Sequence, residues 1–581
     1  MKNLIHVLGD QVHDVLKSVV GQPVHPEVTI STQPQFGHYQ CNNALKLAKE
    51  LKKTPREVAQ SMVAAWEKLP IFGTMIAKLE IAGPGFINIF LSNRFLSHEI
   101  TKVFHDPRLG VPHPEHIQRI IVEFSSPNIA KELHVGHLRS TIIGDCLARI
   151  FEFLGHDVLR LNHIGDWGTQ FGMLIAYMRA EAPDVLEGRT STDLPTLMGL
   201  YRASKKRFDE DPAFKKEAQL QVVKLQGGDE VALAAWQMIC NISRKAFQEI
   251  YELLDVKLVE RGESFYNPYL PEVVADLEKR NMITVSDGAK CIYLEGYKGR
   301  DDTPLPIIIQ KSDGGYNYDT TDMAAIRHRV EVEKADRVIV VTDAGQALHF
   351  EMIFKAAEKA GYLDRSKVRV DHVPFGVVLG PDGKKFKTRS GDTEKLIDLL
   401  LQGVAHAEKI LHERLPDQSE KELHQTATIL GIDAIKYADL SSHRIKDYTF
   451  SYERMLRFEG NTAAFLLYAY VRMRSIQRKV GKSIQEIAKD HSITLEHPTE
   501  IDLAVHLRQF GETLYTVAEE LLPNRLADYL YILAEKFHAF FRDCRVEGDP
   551  QENSRLLLCE IAARILHQGL QILGLKTLER M

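Results

Sequence analysis

Cysteine is scarce in this 581-residue chain: Cys41, Cys146, Cys240, Cys291, Cys544 and Cys559 are scattered, and no two share a Cys-x-x-Cys spacing. That argues against a disulfide framework or a zinc knuckle and for idle thiols in a reducing compartment. Long apolar runs are missing too. No stretch approaches the roughly 18 residues of a membrane span, and Met1 to Leu16 carries Asp10, His13 and Asp14 where a signal peptide would be apolar. The expectation is a cytoplasmic protein with no membrane partner. Nor is there an excess of positive charge: 73 Lys and Arg stand against 79 Asp and Glu, a net −6. This excludes a polycation but not a local basic face. Internal repeats, low-complexity tracts, a Walker-A loop and a Gly-x-Gly-x-x-Gly fingerprint after a strand are also absent, so a nucleotide must be held by other means.

What is present suits an ordinary globular protein, with 44% hydrophobic and 26% charged residues, and at roughly 150 residues per domain the length allows about four domains. The first ~95 residues mix one helical stretch with strand-like pieces. Ala44 to Val63 repeats its apolar residues at helical intervals, with a restart at Thr54-Pro55, and Lys78–Ala82 and Phe86–Leu91 alternate around Gly83-Pro84-Gly85 as a hairpin. Three prolines and a glycine between Pro107 and Pro114 mark a boundary.

From Arg119 strands alternate with helices. Ile120–Phe124 reads as a strand covered on both faces, and Leu138 to Leu154 as a helix stopped by Gly155. Asp157–Leu161, Arg337–Thr342 and Val368–Leu379 supply further β-rich runs around a helix at Leu348–Ala360. This predicts an α/β fold: a Rossmann-like, doubly wound parallel-sheet core. A mainly helical insertion occupies about 173–275, and an α+β domain precedes the core. After about Gln402 nothing strand-like remains, and the C-terminal third reads as an all-α bundle. The domains expected are 1–106, 115–400, a helical connector at 401–450, and 451–581.

Two segments carry chemistry. His134-Val135-Gly136-His137 lies just after a strand and at the start of a helix. Gly136 permits close backbone approach, the helix offers free N–H groups and its positive dipole end, and two imidazoles flank the point where phosphate charge would build during nucleotidyl transfer. The second segment is Gly383-Lys384-Lys385-Phe386-Lys387-Thr388-Arg389-Ser390-Gly391, with four cations in six residues and no compensating acid. It suits a loop that closes on a triphosphate.

The stretch Ser125-Ser126-Pro127-Asn128-Ile129-Ala130-Lys131-Glu132-Leu133-His134-Val135-Gly136-His137-Leu138-Arg139-Ser140 resembles the ATP-site signature of arginyl-tRNA synthetases, first-class synthetases with a Rossmann catalytic core. Asn162–Gly172 is similar to that family's next block, and the basic loop to its Lys-Met-Ser-Lys-Ser signature. The likeness extends to Gly83–Asn88 and to the C-terminal helices. One departure stands out: Lys385 matches the first signature lysine, but Thr388 occupies the place of the second. The resemblance implies that Lys131 takes over part of the phosphate contact, with Lys387 a local competitor.

The resemblance further implies an arginine–tRNA ligase whose partners are ATP with Mg²⁺, L-arginine and tRNA(Arg). It implies a monomer with no resident metal and no tightly bound cofactor. His134, His137, Lys131, Lys385, Lys387 and Arg389 would stabilise the reacting phosphates, and His134, Gly136, His137 and Lys385 would hold the nucleotide. A guanidinium is a planar fork of donors that is always charged, so its pocket needs a fixed carboxylate. By resemblance Asp322 supplies it and Tyr318, four residues earlier, lines the pocket, with Glu263 a second carboxylate. Ser126, Pro127, Asn128 and Gln346 would contact the amino-acid end beside His137, with Glu123 a further candidate. For tRNA, nine Lys or Arg between Arg444 and Lys482 face three acids, a local balance of +6, among aromatics including Tyr448, Phe450, Tyr468 and Tyr470. Cations and rings together are what single-stranded loop recognition uses. The resemblance makes this C-terminal bundle the anticodon-binding domain and the N-terminal ~95 residues a further tRNA-contacting domain. The competing readings are a small-molecule adenylyltransferase, a catalytically silent RNA-binding paralogue, and a synthetase for glutamine, glutamate or cysteine.

Overall fold

The computed structural model describes residues 1–581 except 32, 300–301 and 387–393. Its contacts divide the chain into two compact units, residues 1–114 with 457–581, and residues 115–456.

Residues 115–456 are organised by a five-stranded sheet. Its strands are β1 (Arg119–Glu123), β2 (Asp157–Asn162), β3 (Val259–Glu260), β4 (Arg337–Asp343) and β5 (Arg369–Phe375), in the spatial order β5-β4-β1-β2-β3 and all parallel. Ile120, Ile121 and Val122 are fully buried, as the β-branched run requires when helices cover both faces. Helix α1 (Val135–Leu154) crosses from β1 to β2 and ends at Gly155, which takes the left-handed φ of 107° and returns its N–H to Phe151 and Glu152. Helices α2 (Tyr318–Glu331) and α3 (Ala347–Lys359) flank β4. Their apolar residues Met323, Ile326, Ile353 and Phe354 pack with Ile121, Leu161, Val338 and Val340 into one core. Because β1 connects outward to β2 while β4 lies on its other side, the strand order reverses between β1 and β4. That reversal opens a crevice outside the strands' carboxyl ends, where doubly wound sheets bind ligands.

The segment expected to be a helical insertion carries the helices Thr169–Glu181, Leu194–Glu210, Pro212–Gln226 and Glu230–Leu253. Two features of this unit depart from the sequence reading. A three-stranded antiparallel sheet (Thr284–Ser286, Ala289–Lys298, Pro304–Gln310) precedes α2. A two-residue strand, Tyr448–Thr449, also pairs with Val378–Leu379 beyond Gln402, too short for any periodicity to reveal.

In the other unit the hairpin is present as Ile76–Ala82 paired with Phe86–Leu91, and Thr54 opens the helix Pro55–Trp66 with a capping box to Glu57. The single helical stretch expected before residue 95 is corrected to several, starting with Leu4–Val20 and including Asn43–Glu50 and Pro55–Trp66. Leu4, Leu8, Val12, Val15 and Leu16 form its buried stripe, a helical spacing hidden among polar residues. The C-terminal helices Ala463–Val480, Pro498–Arg508, Phe510–Glu520, Asn524–Asp543 and Glu552–Ile572 belong to the same unit. Within it Glu512 accepts hydrogen bonds from the Ile5 N–H (2.9 Å) and the buried Tyr39 hydroxyl (3.0 Å), and Arg508 pairs with Glu99 (3.1 Å).

The descent of α1 onto β1 depends on Gly144. A methyl group there would lie 2.2 Å from Cβ and Cγ of the buried Phe124. Gly144→Ala should therefore destabilise this unit by about 1–3 kcal/mol or more through overpacking. Urea denaturation of the full chain checks this, and an unchanged midpoint would contradict the close approach.

Candidate functional site

A cavity of about 880 Å³ occupies the crevice, lined among others by Glu123 and Asp343 at the ends of β1 and β4, by His134, Gly136 and His137, and by Glu263, Asp322 and Lys385. A second cavity of about 610 Å³ is lined by Leu133, Glu132, Lys245 and Lys395 among others. None of the expected site residues lines it.

The floor of the main cavity is the segment Ser125–Ala130, which is held in unusual backbone geometry. Ser125, Ser126 and Ala130 have φ of 69°, 49° and 59°, left-handed values that cost energy for residues with a Cβ. Neighbours hold them there. The Ser126 N–H donates to Asn162 Oδ1 (3.0 Å), His163 N–H to Ser126 Oγ (3.2 Å) and Ala130 N–H to Ser243 Oγ (2.9 Å), while Ser125 Oγ meets Tyr251 Oη at 2.8 Å. Gly165 exchanges backbone bonds with Pro127 and Ile129. The Asn162–Gly172 block and the helix Glu230–Leu253 thus act as a mould for the signature loop.

At the start of α1 the two histidines form a reciprocal cap. His134 Nδ1 accepts from the Gly136 N–H (3.1 Å) and His137 Nδ1 accepts from the His134 N–H (3.1 Å); the ring centroids are 4.1 Å apart. A Cβ on Gly136 would press to 2.8 Å from His134 Cε1, so this cap requires glycine. An Nδ1 that accepts carries no proton, which leaves the proton of each neutral ring on Nε2. Burial lowers both pKa values, His137 to about 3, and the nearby Lys131 charge lowers them further, with His134 adding to the effect on His137. Both rings are neutral Nε2–H donors at pH 7, beside the positive end of α1.

The acidic part of the cavity belongs to α2 and its surroundings. Asn317 caps α2. Asp322 receives His349 Nε2 at 2.6 Å, while its other oxygen lies 4.0 Å from His163 Nε2. Glu263 opens the short helix Glu263–Tyr266, with its N–H on Ile164 O. Burial, then the charges of Asp322 and Asp166, push Glu263 up to about 8, so it keeps its proton at neutral pH. Tyr318 is 58% exposed and its ring lies 5.2 Å from that of His349. Gln346 is exposed and donates to Asp343 Oδ2 at 3.0 Å.

The other expected residues divide. Ser126 and Asn128 line the cavity, whereas neither the buried Pro127 nor the exposed Lys131 lines it. Glu123 lines the cavity, but its carboxylate is already paired with the buried Arg329 at 2.6 Å, so its charge is spent within the protein. Lys385 sits at a bridge with Leu379; Lys387, Thr388 and Arg389 lie outside the described residues. Two of the lining histidines, His163 and His349, were not singled out as site residues from sequence. In the basic C-terminal stretch, Phe450 and Tyr470 are buried, Tyr468 is exposed, and Arg474, Lys479 and Lys482 are paired with Glu560, Glu547 and Glu552. That stretch is therefore less basic in the structure than along the chain.

Residues 99–452 match the family described as tRNA synthetases class I (R), catalytic domain, residues 466–581 the DALR anticodon binding domain, and residues 6–91 the arginyl tRNA synthetase N terminal domain. An arginine–tRNA ligase of Protochlamydia amoebophila is 62% identical over 565 residues, covering 97% of this chain and 96% of that protein. That of Nostoc punctiforme is 51% identical over 564 residues, with 96% of each covered. The crystal structure of arginyl-tRNA synthetase from Plasmodium falciparum superposes with a TM-score of 0.88 at 35% identity over 100% of both chains. The adenylyltransferase, silent-paralogue and other-synthetase readings give way to these matches. A crevice built from the paired-histidine signature, inside a chain that carries all three domain types, identifies it as a member of the arginyl-tRNA synthetases, which use ATP to join arginine to tRNA.

Proposed function

We propose that the crevice performs both steps of arginine transfer with the following division of labour. The arginine carboxylate attacks the α-phosphorus of ATP; the bond to the bridging oxygen breaks and pyrophosphate leaves. The 2′-hydroxyl of the terminal adenosine then attacks the adenylate carbonyl, and AMP leaves. No protein nucleophile is needed, so catalysis is positioning and electrostatics. His134 and His137 donate their Nε2–H groups to phosphate oxygens, while Lys131, Lys385, Lys387 and Arg389 supply positive charge. Lys131 acts at longer range, as its effect on both imidazoles suggests. Asp322 and Glu263 receive the guanidinium, with Tyr318 and Gln346 beside them; Ser126, Pro127 and Asn128 shape the amino-acid end. The observation that carries this reading is that the neutral histidine corner and the acidic cluster line one cavity.

Mg²⁺ would arrive on the ATP phosphates and offset their charge; among the described residues no group of three His, Cys, Asp or Glu side chains is placed to hold an ion. The division into 1–106, 115–400, 401–450 and 451–581, tRNA contact by the first and last of these, and action as a cytoplasmic monomer complete the proposal. The six cysteines, all free and buried, suit a reducing compartment.

His134→Ala or His137→Ala should lower arginine-dependent ATP–pyrophosphate exchange by roughly 10²–10³, the loss expected for one transition-state donor. The far-UV spectrum should be retained. Full exchange activity in a folded variant would remove the histidines from the reaction.

Glu263 makes a second prediction. A guanidinium favours its ionised form, so arginine arriving below pH 8 must expel the proton, and affinity should rise as pH approaches about 8. At pH 7 binding should release about one proton, read by calorimetry in buffers of different ionisation enthalpy. In Glu263→Gln that release should vanish; an unchanged release would assign the proton elsewhere.

A further inference from the structure

The carboxylate proposed to read arginine is held by a residue that none of these roles uses. His349, on the first turn of α3, reaches Asp322 Oδ2 with Nε2 at 2.6 Å and faces Asp319 Oδ1 with Nδ1 at 3.4 Å. Asp319 and Asp322 stand three apart on one face of α2. Asp319 is itself anchored: buried, it accepts the Ile308 N–H at 3.0 Å and the Asn317 amide at 3.4 Å. A ring with an acid at each nitrogen is a double donor, which only the protonated imidazole can be. Burial works against that proton, but the bonds and charges of the two acids more than offset it and raise His349 to about 9.

The remaining surroundings do not compete. The Tyr318 and Phe350 rings pack at 5.2 and 5.1 Å, and His372 of β5 is kept neutral by its own burial, at about 4, with Arg444 and Asp343 also in its field. Across the cavity, Glu263 faces the cluster in its protonated form and His163 lies beyond Asp322 Oδ1.

We propose that His349 is the positioning residue for arginine selectivity: bridging Asp319 and Asp322, it locks the reading carboxylate in one orientation and occupies one of its oxygens, leaving the other for the guanidinium. This rests on the reading of Asp322 given above and deepens it. Two consequences follow from the charges. Before arginine binds, with Glu263 protonated, two carboxylates and one imidazolium leave the cluster one negative charge, and the proton that Glu263 loses on binding adds a second to face the incoming cation. A carboxylate fixed in plane also favours a planar fork of donors over the compact ammonium of lysine, which needs no particular orientation.

The test uses the full chain with tRNA(Arg) present, in wild type, His349→Gln, His349→Ala and Asp322→Asn. Arginine affinity is measured by equilibrium dialysis, lysine by competition against it, and ATP separately. His349→Ala should weaken arginine by about tenfold to a hundredfold, the range for a lost hydrogen bond to a charged group. Lysine should weaken much less, so the arginine-to-lysine ratio shrinks, and ATP should not move. His349→Gln keeps a donor for Asp322 and should recover part of the loss. Equal losses for arginine, lysine and ATP would reveal a merely structural role and overturn the proposal. Wild-type or tighter arginine binding in His349→Ala would overturn it too, the latter by showing that the ring competes with substrate. Should His349→Ala fail to fold, His349→Gln and the wild-type ring decide: ¹⁵N spectra at pH 7.5 should show both ring nitrogens protonated, and a neutral ring overturns the proposal. If Asp322→Asn binds arginine normally, the acceptor reading itself falls. If Asp322→Asn loses arginine while both His349 variants keep wild-type affinity and selectivity, only the role of His349 falls.

Discussion

Two backbone N–H groups at the start of α1 are satisfied by imidazole nitrogens instead of the hydroxyl or carboxylate oxygens that usually cap helices, and much of the site follows from that choice. A neutral imidazole has one proton. Once Nδ1 accepts from the backbone the proton must sit on Nε2, so capping the helix also sets the tautomer. The same choice explains the glycine between the two histidines, because a side chain at 136 would collide with the capping ring. Neutral rings bring donors without charge. Positive potential comes instead from the helix terminus and from Lys131, while burial above all, with the Lys131 charge adding to it, lowers the pKa of both rings.

A cap of this kind works only if the loop entering it is rigid. Ser125, Ser126 and Ala130 are held at positive φ by hydrogen bonds with Asn162, Ser243 and Tyr251, the N–H groups of Ser126 and Ala130 donating to Asn162 and Ser243, and Ser243 and Tyr251 lie on the helix Glu230–Leu253. That helix belongs to the segment read as an insertion, yet it supplies part of the mould for the signature loop. Ser243 and Tyr251 of that helix thus bear directly on the signature loop.

Much of the framework was legible because its signals are local. Ile120-Ile121-Val122, Thr54-Pro55 and Gly155 each announce an element through their own stereochemistry. Leu4–Val20 escaped notice because its buried stripe is interleaved with His6, Asp10, His13 and Asp14, and Tyr448–Thr449 because two residues have no period. The site divides in the same way. His134 and His137 are two positions either side of a glycine, and spacing alone brings them together. His349 meets Asp322 across 27 residues, through the packing of α2 against α3, and a lone histidine in an amphipathic helix carries no mark of that meeting. Glu123 shows the converse. Its position at a strand end is legible, but its neutralisation by Arg329 is a fact of packing.

On the proposed assignment of the site, the two kinds of charge in the crevice also orient the substrate. Arginine is cationic at its side chain and anionic at its carboxylate. The α1 terminus with Lys385 provides positive potential, and Asp319 and Asp322 on α2 provide negative potential, so the field turns the carboxylate toward the phosphates before any close contact forms. An undamped acidic cluster would overshoot, since two or three bare carboxylates in a partly dehydrated pocket repel one another and would hold any cation regardless of shape. Before arginine binds, the proton on Glu263 and the imidazolium of His349 remove that excess. What remains is close to one unit of negative charge, displayed on a carboxylate whose plane is held. On that assignment, selectivity for a guanidinium comes from restraint of charge as much as from its presence.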